Sequence, residues 1–185
     1  MADYILQMQQ ITKRFGEVMA NSDVSLDVEK GEVNELLGEN GAGKSTLMNC
    51  LYGMYDSYEG EIIFDGKPVR IEDPKHAIAL GIGMVHQHFM LVDSFTGAEN
   101  MMLGLEKSSF FTSSKNEVAQ TEDVAKKYGF EIAANRKVRD MSVGMKPKLE
   151  ILKILYRGAN IIILDEPTAV LTPQETEELF ERLLE

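Results

Sequence analysis

The most specific chemistry in this chain lies in nine consecutive residues, Gly38-Glu39-Asn40-Gly41-Ala42-Gly43-Lys44-Ser45-Thr46. The first eight fit the phosphate-binding pattern G-x-x-x-x-G-K-[ST] in full. Glycines let the backbone curl so that successive N–H groups turn toward a polyphosphate, Lys44 reaches the outer phosphates, and the Ser45 hydroxyl is offered to Mg²⁺. Gly38, Asn40, Gly41, Ala42, Gly43, Lys44, Ser45 and Thr46 are therefore the candidate phosphate-binding set, and a nucleoside triphosphate is the expected ligand. Far downstream, the apolar run Ile161-Ile162-Ile163-Leu164 ends in Asp165-Glu166-Pro167. Asp165 suits a Mg²⁺ site reached through water, and Glu166 suits a general base for an attacking water. A strand that simply ends in charge is common, so the carboxylate pair gains its weight from the phosphate loop upstream.

These residues need elements to hold them. Residues 33–37 read as a short strand leading into the loop and residues 45–52 as a helix leaving it, so that a helix amino end meets the phosphates. Residues 161–164 have the form of a fully buried parallel strand with its carboxylates at the carboxyl end. Asn34 and Glu35 fit the first of these strands poorly, because a buried unpaired carboxylate is costly; Glu35→Ala is expected to raise the melting temperature. Residues 4–11 and 22–28 read as strands, the second alternating Val24, Leu26, Val28, with Phe15 in the turn between them. An aromatic there either stacks on a nucleotide base or caps the sheet, and its spacing does not decide between the two. Residues 60–71 read as a hairpin around Asp65-Gly66, Asp73-Pro74 opens a short helix that Gly81 ends, and residues 82–85 form the next strand. His86 and His88 lack a third ligand nearby that would make them a metal pair. From residue 89 to 156 the pattern turns helical, with Ser114 and Glu117 as a capping box and Val118, Thr121, Val124, Ala125 and Tyr128 on one face. Thr172-Pro173-Gln174-Glu175 opens a last helix with Leu179, Phe180, Leu183 and Leu184 on its apolar side.

Composition bounds the class. A chain of 185 residues, 44% hydrophobic and 26% charged, has the makings of one folded core. Its net charge of -11 argues against nucleic acid as a partner, so phosphate binding is local. No apolar run approaches the roughly 20 residues of a membrane span, and the start Met1-Ala2-Asp3-Tyr4 lacks signal-peptide character, which makes the cytosol the expected compartment. The single cysteine, Cys50, falls on the helix after the loop and reads as a packed residue.

Met141-Ser142-Val143-Gly144-Met145 precedes a helix that leads to the apolar strand, and this stretch resembles the L-S-G-G-Q signature of ABC ATPases. The order phosphate loop, Gln87, signature, Asp165-Glu166 is also that family's order. Across nearly the whole chain the resemblance is to the ATP-binding subunits of bacterial importers for nucleosides and simple sugars, carried by Met84-Val85-His86-Gln87-His88-Phe89, by Ser142-Val143-Gly144 with Glu150-Ile151-Leu152-Lys153, and by Asp165-Glu166-Pro167-Thr168-Ala169-Val170-Leu171-Thr172. It implies an α/β phosphate-loop NTPase: a RecA-like core with an antiparallel β subdomain over residues 1–88 and 157–185, and a helical subdomain inserted over 89–156. It implies ATP and Mg²⁺ as ligands, with Phe15 stacking on adenine and Gln87 touching Mg²⁺ and the attacking water. Ser45, Gln87 and Asp165 would serve the metal, while Lys44, Gln87 and Glu166 would serve catalysis. Ser142 and Gly144 would bind the γ-phosphate held by a second ATPase domain facing head to tail. Transmembrane permease subunits would be partners, a solute-binding protein only an indirect one, and the chain would lie on the inner face of the cell membrane.

The signature ends in Met145-Lys146-Pro147-Lys148 where those importers have glutamine, glutamine, arginine, and Pro147 is expected to disturb Ser142 and Gly144 by removing an N–H near the helix start. The family's switch histidine has no counterpart, since His76, His86 and His88 all precede Asp165. The chain therefore reads as a partial amino-terminal ATPase domain without the closing part of the core. Two readings follow: a transport-coupled ATPase, or a nucleotide-binding module with little hydrolysis. Sheet edges left uncovered would show as self-association.

Overall fold

The computed structural model describes residues 3–86, 89–105, 114–165 and 173–184, and the chain divides into two compact units, Met1–Ile82 and Gly83–Glu185. In the first unit, β1 (Tyr4–Phe15) and β2 (Val18–Glu29) form a long antiparallel hairpin turned at Gly16-Glu17. Phe15 pairs with Val18, so it closes β1 and does not lie in a turn beyond the strand. With β3 (Glu59–Phe64) and β4 (Lys67–Val69) they make a four-stranded sheet in the order β2-β1-β3-β4, antiparallel throughout. The β3–β4 turn has Asp65 at φ 47 and Gly66 at φ 73, the two positive values that a tight hairpin turn of the D-G kind requires.

Strand β1 does not alternate to its end. Leu6 and Met8 point into the core; then the register slips, with Gln10 at φ 54, and it is Ile11 and Lys13 that point inward. One extra residue in a strand turns every later side chain to the other face. Gly60 accommodates the bulge from β3, since a Cβ on it would stand 2.5 Å from the Gln9 carbonyl oxygen. Leu6, Met8, Ile11 and Ile62 are buried together with Leu47, Cys50 and Leu51 of α1 (Lys44–Leu51). Each large apolar side chain buried in this way contributes roughly 1.5–3 kcal/mol. Strand β2 is half-buried along Val24, Leu26 and Val28, as expected of the alternation at a sheet edge. Asp73 caps α2 (Pro74–Ala79), its carboxylate accepting the His76 N–H at 2.7 Å.

Residues 33–37 do not form the expected strand. Among the described residues they pair with no strand, and Val33 and Leu37 are 57% and 81% exposed. Glu35 is exposed as well, so the burial penalty behind the Glu35→Ala expectation does not arise. The reason is the one the residues already carried: Asn34 and Glu35 cannot enter a two-sided apolar sheet without losing their hydration.

In the second unit, β5 (Ile82–Val85) and β6 (Ile161–Leu164) pair with their carboxyl ends together, the Asp165 N–H donating to the Val85 carbonyl at 3.0 Å, which makes the pair parallel. Every residue of β5 is buried; in β6 only Ile163 is, so this strand is less covered than its all-apolar sequence predicts. Its single strand neighbour among the described residues is β5, and the second flank has no pairing to draw it inward.

Among the described residues this unit also holds helices α3 (Gly97–Met102), α4 (Ser114–Lys127), α5 (Met145–Tyr156) and α6 (Pro173–Leu184) and a short 3-10 turn at Val138–Asp140. Val85, Met101, Ala125, Phe130, Leu149 and Leu179 are among its buried core. Of the predicted face of α4, Thr121 and Ala125 are buried and Val124 is packed against the core, as is Tyr128 one residue past the helix end, while Val118 is half-buried. The described part of this helix opens at Ser114, and the residues just before it lie outside the described ones. Thr96 and Glu99 form a reciprocal capping box on α3, which the reading of the sequence passed over.

Candidate nucleotide-binding site

The phosphate loop is tied down from three sides within the first unit. Gly43, at φ 86, ends the loop and begins α1, and a Cβ there would stand 2.3 Å from the Ala20 carbonyl oxygen and 2.6 Å from Asn21 Nδ2. Glycine is thus required twice over, for the left-handed backbone and for the close approach of β2. Asn21 donates from Nδ2 to the Gly43 carbonyl at 3.1 Å, and the same oxygen accepts the Leu47 N–H at 2.9 Å. Asn21 is 6% exposed, and its Oδ1 is a buried acceptor with no hydrogen-bond partner among the described residues. Within the loop the Ala42 N–H donates to the Glu39 carbonyl at 3.1 Å.

Lys44 arches back over its own loop. Its Nζ donates to the carbonyls of Gly38 at 2.6 Å and Glu39 at 2.9 Å. These neutral acceptors hold an ammonium where an anionic phosphate would compete for it with a stronger, charge-assisted bond. No side chain caps α1 at Gly43, and the N–H groups of a helix's first turn have no partner inside the helix. Ser45 is exposed on that turn and Thr46 half-exposed.

Phe15, 44% exposed, belongs to the same unit. Its ring meets that of Tyr55 edge to face, centroids 5.1 Å apart, and Lys13 Nζ lies 5.0 Å from its centroid.

The remaining site residues fall in the second unit, and three of them are described. Asp165 follows β6 beside the end of β5, so the backbone joins it to the strand that leads to Gln87. Ser142 and Gly144 stand at the amino end of α5, Ser142 exposed and Gly144 half-exposed, with no side-chain cap. Pro147 does not disturb them. It is the third residue of α5, where an N–H has no intrahelical acceptor, and the Met145 N–H still donates to the Ser142 carbonyl at 3.1 Å. Lys146 makes an ion pair with Asp93 at 3.3 Å. Gln87, His88 and Glu166 lie outside the described residues.

The segment after Gln87 is gripped by α5. Glu150 accepts the Met90 N–H at 2.7 Å, and Lys153 Nζ donates to the Met90 carbonyl at 3.4 Å. Glu150 is 4% exposed, and burial raises its carboxyl above the ordinary range, opposed by the Lys153 charge and the Met90 N–H. Burial likewise lowers the Lys153 ammonium, against the pull of the Glu150 charge. Neither this grip nor Asn21 was singled out from sequence; a lone carboxylate and a lone amide in apolar surroundings carried no motif.

Mg²⁺ is a hard cation that takes oxygen ligands and keeps several waters; the Ser45 hydroxyl in the first unit and the Asp165 carboxylate in the second are each oxygen donors of the kind it takes. Among the described residues no group of three or more His, Cys, Asp or Glu side chains gathers as a metal cluster, and no helix is long and apolar enough to cross a membrane.

The family model described as ABC transporter matches residues 21–169. Over 180 residues the chain is 52% identical to the guanosine import ATP-binding protein of Bacillus subtilis, covering 97% of this chain and 35% of that one. It is 41% identical over 181 residues to the ribose import ATP-binding protein of Yersinia pestis, covering 97% and 36%. The chain spans about a third of the length of these curated relatives. Among solved structures, a nucleotide-free ATP-binding cassette from an ABC transporter matches with TM-score 0.83 at 27% identity, over 98% of this chain and 76% of that one. A dimeric ATP-binding cassette in a post-hydrolysis state bound to ADP and Pi matches with TM-score 0.78 at 27% identity, over 96% and 81%. The fold is that of these cassettes, an α/β phosphate-loop NTPase fold, as the sequence implied.

Proposed function

The chain belongs to the ABC transporter family, and we propose that it is the ATP-binding and hydrolysing domain of an importer for a nucleoside or a simple sugar. The observation that carries the proposal is the phosphate loop: an uncapped helix amino end, a left-handed Gly43 pinned by Asn21, and a lysine poised over the loop's own carbonyls. Backbone N–H groups and Lys44 bind the β- and γ-phosphates, and Phe15 takes the base on its exposed surface. Ser45 and Asp165, with Gln87, are the residues that would hold Mg²⁺, which would supply charge neutralisation on the phosphates. Gln87 orients the attacking water and Glu166 accepts its proton.

Ser142 and Gly144, on the uncapped start of α5, offer donors to the γ-phosphate bound by a second such domain, so that ATP is sandwiched between two domains facing head to tail. Hydrolysis is then a property of the pair, coupled to permease subunits at the inner face of the membrane. The names of the relatives, guanosine import and ribose import, support the solute class.

Phosphate release from the chain with Mg-ATP tests this, with Lys44→Ala as the blank. Turnover above the blank that disappears in Glu166→Gln is the expected result. Absence of turnover with ATP still bound would reduce the chain to a nucleotide-binding module.

A further inference from the structure

The bulge in β1 has turned a lysine into the core beside the base-stacking candidate. Lys13 is 4% exposed, and its Nζ donates to the Ser57 carbonyl at 2.6 Å and the Ser57 hydroxyl at 2.8 Å. An ammonium has three donors, and the rings of Phe15 and Tyr55 lie 5.0 and 5.3 Å from the nitrogen, 78° apart in plane. The cation thus sits in the corner of two nearly perpendicular aromatic rings, where their negative faces replace part of its lost hydration. Phe15 is consequently engaged by Lys13 and by Tyr55, yet it stays 44% exposed.

Tyr55 has a second attachment. Its N–H donates to the Asn49 carbonyl at 3.3 Å, as does the Met54 N–H at 2.9 Å, so its backbone is fixed to the carboxyl end of α1. The amino end of that same helix carries the phosphate loop. An eight-residue helix spans about 12 Å, and a hydrogen-bonded helix of that length behaves as a rigid strut.

We propose that Tyr55, with Lys13 beside it, is a positioning residue that fixes the Phe15 ring as the base platform and ties that platform through α1 to the phosphate loop. The inference rests on the reading that Phe15 stacks on the nucleotide base. Base and phosphates are then gripped in one register by one helix, and loosening Tyr55 costs the base contact while leaving the phosphate contact intact.

Calorimetric titration of the chain with Mg-ATP and, separately, with Mg-tripolyphosphate, which has no base, separates the two grips. Phe15→Ala is expected to weaken Mg-ATP binding about tenfold and Tyr55→Ala about fivefold, with tripolyphosphate unchanged in both and Tyr55→Phe restoring ATP binding. Tyr55→Leu, which keeps apolar bulk over the end of α1, takes the place of the alanine variant if that one does not fold. A Tyr55 variant with undiminished ATP affinity beside a weakened Phe15→Ala would overturn the positioning role and leave the stacking intact. Equal losses for ATP and tripolyphosphate in the Tyr55 variant would also overturn it, as a general structural effect. Unchanged ATP binding in Phe15→Ala would remove the stacking itself, and the proposal with it.

Discussion

Two helix amino ends, those of α1 and α5, carry the candidate phosphate contacts, and they are built in opposite ways. Both begin after a glycine and neither has a side-chain cap. At α1 the glycine is left-handed, a strand presses against it, Asn21 holds its carbonyl, and Lys44 folds over the loop. At α5 Gly144 has ordinary helical angles, Ser142 and Val143 are exposed, and the first-turn Lys146 is ion-paired with Asp93. The first end is preorganised by its own chain. The second is a donor surface with little holding it in a special shape, which is what the proposed contact with another domain's nucleotide requires. A preorganised site is brittle to substitution, and an open one is tolerant.

Gly43→Ala should break the contrast most sharply. The new methyl group meets a carbonyl oxygen at 2.3 Å on a backbone that disfavours side chains, and a loss of about 3 kcal/mol is expected, a fall in Tm of about 10 °C in a thermal melt. Asn21→Ala comes next. It removes one of the two donors to the Gly43 carbonyl, but also a buried acceptor that has no partner among the described residues, so the net loss should be about 1 kcal/mol by denaturant titration.

Near α5, Glu150→Gln should act through pH. Because the folded-state carboxyl titrates above its unfolded value, Glu150 contributes stability that is fully present below the ordinary glutamate range and is lost as pH rises through the raised value. The wild-type chain should lose stability relative to Glu150→Gln as pH rises from the ordinary glutamate range, and melts of both proteins at closely spaced pH values would show it. Smallest of all is Pro147→Ala, expected to change stability by about 0.5 kcal/mol or less, since the third residue of α5 has no intrahelical N–H bond to regain.

The same contrast explains how much of the molecule was legible beforehand. The phosphate loop, the Asp65-Gly66 turn, the Asp73 cap and the buried face of α4 are written in a few adjacent or periodic residues, and local sterics decide them. Residues 33–37 were read as a strand because a phosphate loop calls for one, although Asn34 and Glu35 already pointed the other way; local polarity won over the motif's usual setting. Lys13 was hidden by the bulge, for no counting of alternate residues foresees that Gln10 shifts the phase. Glu150 was visible only as part of a resemblance, and its grip on Met90 depends on two segments 60 residues apart. Asn21 likewise acts across 22 residues of sequence, which local pattern does not encode. For Gln87 and Glu166 the roles remain those the sequence implied.

The most direct test of the account is calorimetry of Mg-ATP binding to the wild-type chain, Lys44→Ala and Ser142→Ala, at concentrations where the chain is monomeric. Lys44→Ala is expected to weaken binding by about a hundredfold, because a charge-assisted phosphate contact is lost, while Ser142→Ala should bind like wild type. Equal losses in both variants would contradict it, since they would mean that the signature helix already contributes to the nucleotide site of its own chain.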